Sequence, residues 1–243
     1  MSGKLQPGLA DLLAYLGEMG YGDLYLDSPA EGARPAGQAV SGKQTAAADG
    51  ETVERAAELA ALAATVAGCT RCRLCEGRNR VVFGAGNPDA DLMFIGEGPG
   101  AEEDRQGLPF VGAAGELLTR IIQAIEMTRE EVYIANVVKC RPPGNRDPQP
   151  DEVAACRGYL ERQIALVRPK AIVALGRVAA QTLLGNDAPI GRMRGQWFRV
   201  QGVPTMVTYH PAALLRNSAL KRPTWEDMQQ VRDLLRSGAP ASS

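Results

Sequence analysis

A strand that runs straight into a glycine-rich, carboxylate-bearing loop constrains this chain more than any other feature. Leu92-Met93-Phe94-Ile95 is an apolar run, and Gly96-Glu97-Gly98-Pro99-Gly100-Ala101-Glu102-Glu103-Asp104-Arg105-Gln106-Gly107-Leu108-Pro109-Phe110-Val111-Gly112 follows it directly. In an open parallel α/β sheet ligands bind at the carboxyl ends of strands, so this order puts Glu97 and Phe110 at the mouth of a pocket. Gly96-x-Gly98-x-x-Ala101 formally satisfies the dinucleotide-binding pattern. That reading is poor: Pro99 interrupts the turn, and Glu102, Glu103 and Asp104 put three carboxylates where a pyrophosphate needs positive potential.

Downstream of residue 52 the chain alternates helix and strand. Apolar strands are expected at Asp91–Gly96, Val132–Val138, Ala171–Gly176 and Thr205–Tyr209, bounded by helical patterns in Leu117, Leu118, Ile121, Ile122 and Ile125, in Val153, Leu160, Ile164 and Val167, over Val178–Leu184, and in Trp225, Met228, Val231, Leu234 and Leu235. Near-continuous apolar strands are buried on both faces, which predicts a three-layer α/β/α sandwich around a central four-stranded parallel sheet. The strands end in Gly96-Glu97, Asn136, Gly176 and Tyr209-His210-Pro211, and these ends share one rim. Before this, Leu9, Leu12, Leu13 and Leu16 mark a short amphipathic helix at residues 8 to 20, and residues 28 to 50 read as a linker rich in Ala, Gly, Ser, Pro and Gln. The expected organisation is an N-terminal helix and flexible linker at 1–55, a catalytic domain at 56–236 and a disordered tail at 237–243. The N-terminal helix either packs on its own domain or docks a repair or replication partner.

Composition narrows the setting. Residues 1–56 carry 4 Lys and Arg against 8 Asp and Glu, and the remainder carries 23 against 20, so the working domain is mildly basic, which permits a polyanionic partner without requiring one. No apolar run approaches the roughly 18 residues that a membrane span needs, and the N-terminus shows no signal-peptide pattern. A cytoplasmic monomer with no membrane association is expected.

Five cysteines without a secretory signal argue for reduced thiols rather than disulfides. Cys69 and Cys72 form a C-x2-C pair, Cys75 extends it, and Cys140 and Cys156 flank a proline-rich loop, Lys139 to Pro148, that apolar packing alone does not explain. Four thiolates suit either a [4Fe–4S] cluster or structural zinc. His210 is the single histidine, which rules out any multi-histidine metal site, and it stands at a strand end before Pro211. Leu214, Leu215 and Arg216 follow it, two apolar side chains and a cation of the kind that wedges into a base step.

The set Gly96-Glu97-Gly98-Pro99-Gly100, Gly107-Leu108-Pro109-Phe110-Val111-Gly112, Asn136-Val137-Val138-Lys139-Cys140-Arg141-Pro142-Pro143 and His210-Pro211-Ala212-Ala213-Leu214-Leu215-Arg216 resembles the family 4, iron–sulfur uracil-DNA glycosylases. The likeness runs from about Cys69 to Leu235. It implies a [4Fe–4S] cluster on Cys69, Cys72, Cys140 and Cys156, with Cys75 at a non-ligand position, and uracil-containing DNA as the partner. It implies that Phe110 stacks on the flipped base, that Asn136 reads its edge, that Gly98 lies in the substrate set, and that Glu103 excludes the thymine methyl. Glu97 and His210 become the catalytic pair, with His210 near uracil O2 and Glu97 facing the sugar and the attacking water, and Leu214 and Arg216 become DNA contacts. Where many members carry a serine two residues after this histidine, the chain has Ala212, so a phosphate contact there falls to backbone N–H. The histidine-bearing insertion of the covalent, DNA-trapping relatives is absent, which implies a hydrolytic enzyme.

Overall fold

The computed structural model describes residues 45–238, with side chains from Gly50 onward. The predicted helix at 8–20, residues 28–44 of the linker and residues 239–243 of the tail lie outside them. Thr45–Gly50, read as linker, begins helix α1 (Thr45–Ala67), so the boundary expected at residue 55 falls inside a helix. Three successive alanines, the best helix formers, outweigh the turn-like composition around them. At the other end, Ser237 closes the last helix and Gly238 caps it in the left-handed conformation.

All four expected strands form and are parallel: β2 (Leu92–Gly96), β3 (Tyr133–Asn136), β4 (Ala171–Leu175) and β6 (Val203–Thr208). The sheet is wider than expected. Two short antiparallel edges complete it, β1 (Ala85–Gly86) on β3 and β5 (Trp197–Val200) on β6, giving the order β1-β3-β2-β4-β6-β5. A two-residue strand leaves no periodicity to read, but β5 had a local signal. Gln201 and Gly202 both take positive φ, 50° and 82°, as a two-residue hairpin turn of the primed type requires.

Alternate strand residues face opposite layers, as the period of two dictates. Leu92, Phe94, Ile134, Val173 and Met206 pack under α4 (Ala113–Ala124), α8 (Pro211–Arg216) and α9 (Lys221–Ser237), burying Leu118, Ile122, Trp225, Met228 and Val231. Met93, Ile95, Tyr133, Ala135 and Ile172 face α1 and α5 (Pro150–Val167), meeting Leu59, Leu160, Ile164 and Val167. The thiols of Cys140 and Cys156 belong to this second face. Helix α1 is joined to α5 by Arg55, which donates to Leu166 O at 2.8 Å, and by the Arg162–Glu58 and Arg168–Glu51 ion pairs. Among the described residues no helix is long and apolar enough to cross a membrane.

Ile122 is fully buried between α4 and the sheet, whereas Val53 on α1 is 69% exposed. Ile122→Ala should therefore lower the unfolding free energy by about 2–5 kcal/mol, and Val53→Ala by no more than about 0.5 kcal/mol, both measured by urea denaturation.

Candidate functional site

The rim holds a cleft of about 540 Å³, within the range of small-molecule sites. Glu97, Gly98, Glu103, Phe110, Asn136 and His210 all line it, as does Arg216. Of the residues expected at the site outside the cysteine set, Leu214 alone is elsewhere. It is 1% exposed and packs in the core beside Phe110 and Trp225, while its neighbour Leu215 is 54% exposed. Successive side chains on a helix point about 100° apart, so α8 buries one leucine and offers the other. Leu215 is thus the leucine available at the surface, a correction to the contact expected at the buried Leu214.

Glycines shape the cleft. Gly96 and Asn136 are register partners across β2 and β3. A Cβ on Gly96 would lie 2.5 Å from Asn136 Oδ1 and 2.6 Å from Phe110 Cζ, so only glycine lets the amide and the ring edge meet there. Gly115, in the first turn of α4, would place a Cβ 2.0 Å from the Phe110 carbonyl oxygen. Gly176 similarly lets the His210 Cβ approach. Sequence placed Gly96 and Gly176 at strand ends on the rim without showing which atoms they make room for, and it gave Gly115 no mark at all.

Phe110 sits at φ 51°, the left-handed region that a bulky residue rarely adopts. The surrounding chain holds it there. Glu103, in the third position of α3 (Ala101–Gln106), accepts from Gly100 N at 3.1 Å with one oxygen and from Val111 N at 2.9 Å and Gly112 N at 3.0 Å with the other. The half-buried Arg129 guanidinium adds a hydrogen bond to Pro109 O. Glu103 thus lines the cleft with a carboxylate engaged by backbone N–H groups on both sides. The Phe110 and His210 ring centroids lie 5.5 Å apart at 33°.

Two groups are displaced from their ordinary protonation. Burial, helped by the Arg216 charge, lowers the His210 pKa to about 4, so the ring is neutral. Its Nδ1 accepts from Ala212 N at 3.1 Å, which leaves the proton on Nε2 as a donor. Ala213 N donates to His210 O at 2.8 Å, so the N–H groups of Ala212 and Ala213 are both engaged within the loop rather than turned to a phosphate. Burial also raises the Glu97 carboxyl to about 7, with the Asp147 charge adding to the rise and Arg177 opposing it. Asp147 is paired to Arg177 at 2.5 Å. Asn136, 1% exposed, has an Oδ1 with no hydrogen-bond partner among the described residues. An unpaired buried acceptor costs about 1–3 kcal/mol, so its persistence at the cleft points to a ligand that donates.

Asn145, Arg146 and Asp147 also line the cleft and were not singled out by sequence. They belong to the loop after Cys140, where buried Glu152 receives a bidentate pair from Arg146 at 2.8 and 2.7 Å and caps α5 through Gln149 N. On the other face of that loop, Cys69, Cys72, Cys75, Cys140 and Cys156 line one closed pocket. Two of the four expected ligands have a side-chain hydrogen-bond donor at the sulfur. Tyr159 Oη reaches Cys69 Sγ at 3.4 Å and Arg78 Nη1 reaches Cys140 Sγ at 3.3 Å. The backbone N–H groups of Leu74 and Lys139 serve Cys72 and Cys156. Among the described residues no three Cys, His, Asp or Glu side chains converge on the geometry of a single ion.

An α/β sandwich with a strand-end cleft, an aromatic floor and an unpaired amide oxygen defines a protein that receives a flat, polar-edged ring. Its relatives are of that kind. The Uracil DNA glycosylase superfamily profile matches residues 83–229. Type-4 uracil-DNA glycosylases of Sulfurisphaera tokodaii and Thermotoga maritima are each 45% identical, over 70% and 69% of this chain and 81% and 90% of theirs. A type-5 uracil-DNA glycosylase of Pyrobaculum aerophilum is 32% identical over 64% of this chain and 74% of its own. The chain belongs to the uracil DNA glycosylase superfamily, among the type-4 uracil-DNA glycosylases.

If the carboxylate form of Glu97 is the active one, kcat/KM for uracil release should rise about tenfold per pH unit below pH 7 and level off above it. Removing the neighbouring charge by Asp147→Asn should move that limb to lower pH, and a pH–rate profile on a uracil oligonucleotide measures both.

Proposed function

We propose that this protein excises uracil from DNA by hydrolysing the N-glycosidic bond of a flipped nucleotide, leaving an abasic site for repair. The observation that carries the reading is the unpaired Asn136 Oδ1 beside the Phe110 ring and the neutral His210. Uracil offers N3–H to that oxygen and O4 to the amide NH2, whereas cytosine reverses both, so the wrong base leaves buried polar groups unpaired. Phe110 stacks on the base, a contact worth about 1–3 kcal/mol.

Bond breaking puts negative charge on the departing uracil and positive charge on the sugar. The Nε2–H of His210 donates to uracil O2, and this bond strengthens as the charge develops, which is worth about 3 kcal/mol for one such donor. Because the histidine is neutral, its Nδ1 accepts from Ala212 N and its single N–H is held on Nε2 as the donor. Glu97, as carboxylate, stabilises the oxocarbenium-like sugar and orients the attacking water. Gly98 leaves room at the cleft wall, since a Cβ there would lie 2.8 Å from Val138 Cγ2. Leu215 fills the vacated stack and Arg216 meets the phosphates.

The thiols of Cys69, Cys72, Cys140 and Cys156 fit a [4Fe–4S] cluster, a reading supported by their sharing one pocket and by the Tyr159 and Arg78 donors at two of the sulfurs. Such a cluster supplies crosslinks that would tie the Cys69–Cys72 turn and α5 to the loop carrying Arg146 and Asp147.

Glu97→Ala and His210→Ala should each lower the single-turnover rate on a uracil duplex by about 10²-fold or more with little change in DNA affinity. Parental rates in both variants would contradict the catalytic assignment. Leu215→Ala should slow excision from duplex more than from single-stranded substrate. For the metal, iron analysis should give about four irons per chain; Cys140→Ala should lose colour and solubility, and Cys75→Ala should keep both.

A further inference from the structure

Lys139 is the residue that the proposed chemistry leaves unused and that the fold treats most strangely. It is 1% exposed, and lysine is almost never fully buried without partners. Its Nζ donates to Asn136 O at 2.8 Å and to Gln163 Oε1 at 2.5 Å, and lies 5.9 Å from the centroid of the Phe83 ring. Both hydrogen-bonded partners are oxygen acceptors, so the amine donates to them whatever its protonation. Gln163 is itself fixed, donating to Phe83 O at 2.9 Å and Tyr133 Oη at 3.2 Å. The Lys139 backbone is anchored as well: its N–H serves Cys156, and its carbonyl accepts from Val82 N at 2.8 Å.

We propose that Lys139 is a positioning residue for base recognition, holding the Asn136 carbonyl from below so that the Asn136 amide keeps one orientation toward the uracil edge. This rests on the reading that Asn136 contacts uracil. The geometry favours such a role over simple space filling. Asn136 is the last residue of β3, where strand pairing with β2 gives way to loop, and its side-chain oxygen lies close against Gly96 without a hydrogen-bond partner among the described residues. Val137 N donates to Gly96 O at 2.9 Å from the opposite side of the Asn136–Val137 peptide, and Val138 N to Glu97 O at 3.1 Å, so the lysine is the second of two anchors on that peptide plane. The carbonyl of Asn136 itself is tied by the lysine. A rotation of that peptide would swing the amide out of register with the Phe110 plane. Because Lys139 directly precedes Cys140 and its N–H holds Cys156, the same residue joins the recognition strand to the thiol cage.

The test compares the full-length parental protein with Lys139→Met, which keeps the volume and removes the donor, and with Gln163→Leu and Gln163→Glu. Four quantities are measured: iron content, Tm, inhibition by free uracil, and the ratio of uracil to cytosine excision in single-turnover reactions. A positioning role predicts that Lys139→Met retains its iron and colour, binds free uracil about tenfold more weakly, and loses discrimination against cytosine. Gln163→Leu, which leaves Nζ one acceptor, should weaken uracil inhibition by a smaller factor, and Gln163→Glu, which restores an acceptor, should return it toward the parental value. A lowered Tm with parental uracil inhibition and parental base ratio, in Lys139→Met or, should that variant fail to fold, in Gln163→Leu, overturns the proposal. If the parental protein releases no uracil, the underlying reading fails instead, and the two failures are told apart by that control.

Discussion

The site depends on one close approach, the meeting of Gly96 and Asn136 across the ends of β2 and β3. Strand register makes them partners, and the missing side chain at Gly96 leaves a space into which the Asn136 amide and the edge of Phe110 both fit. Shift the register by one residue and the amide faces the opposite layer. Add one methyl group and the amide oxygen, the ring or the strand must move. The other parts of the cleft are arranged around this contact: α4 comes close to the Phe110 backbone through Gly115, and the His210 loop comes close to β4 through Gly176. Three glycines on three segments therefore set the distances among the ring, the amide and the imidazole.

Holding an aromatic residue at positive φ and an amide oxygen without a partner costs stability, and neighbouring groups offset the cost. The Glu103 carboxylate ties the start of α3 to the N–H groups just past Phe110. Arg129 fixes Pro109 from beneath. The same burial that makes the pocket selective separates its two titrating groups, lowering His210 to about 4 and raising Glu97 to about 7. Near neutral pH this leaves a neutral imidazole donor and, in the same cleft, a carboxyl whose charge Asp147 and Arg177 adjust from the rim. Groups whose environments push their protonation apart are the usual mark of divided acid and base roles.

The core of this arrangement was legible in the sequence because it lies in contiguous motifs. Apolar runs without alternation announced buried parallel strands, and their ends named Glu97, Asn136 and His210 before any contact was known. What escaped was non-local. Gly115 carries no local mark that sets it apart, and Gly176 none beyond its place at a strand end, since the atoms they make room for come from other segments. Leu214 and Leu215 are chemically identical in sequence, and only the phase of α8 decides which is buried. Nothing local marks Lys139, in the loop after β3, as buried until Gln163, on α5, is seen to accept from it. The edge strand β5 was hidden by its shortness, although the Gln201-Gly202 turn beside it carried a hairpin signal.

The central claim is that Asn136, oriented by this packing, selects uracil by its pattern of donors and acceptors. Asn136→Asp tests it most directly, because a carboxylate can accept from the cytosine amino group but cannot donate to uracil O4. Single-turnover excision on matched duplexes carrying either base is the measurement. The account predicts that the uracil rate falls and the cytosine-to-uracil ratio rises; an unchanged ratio, with uracil still released, would contradict it.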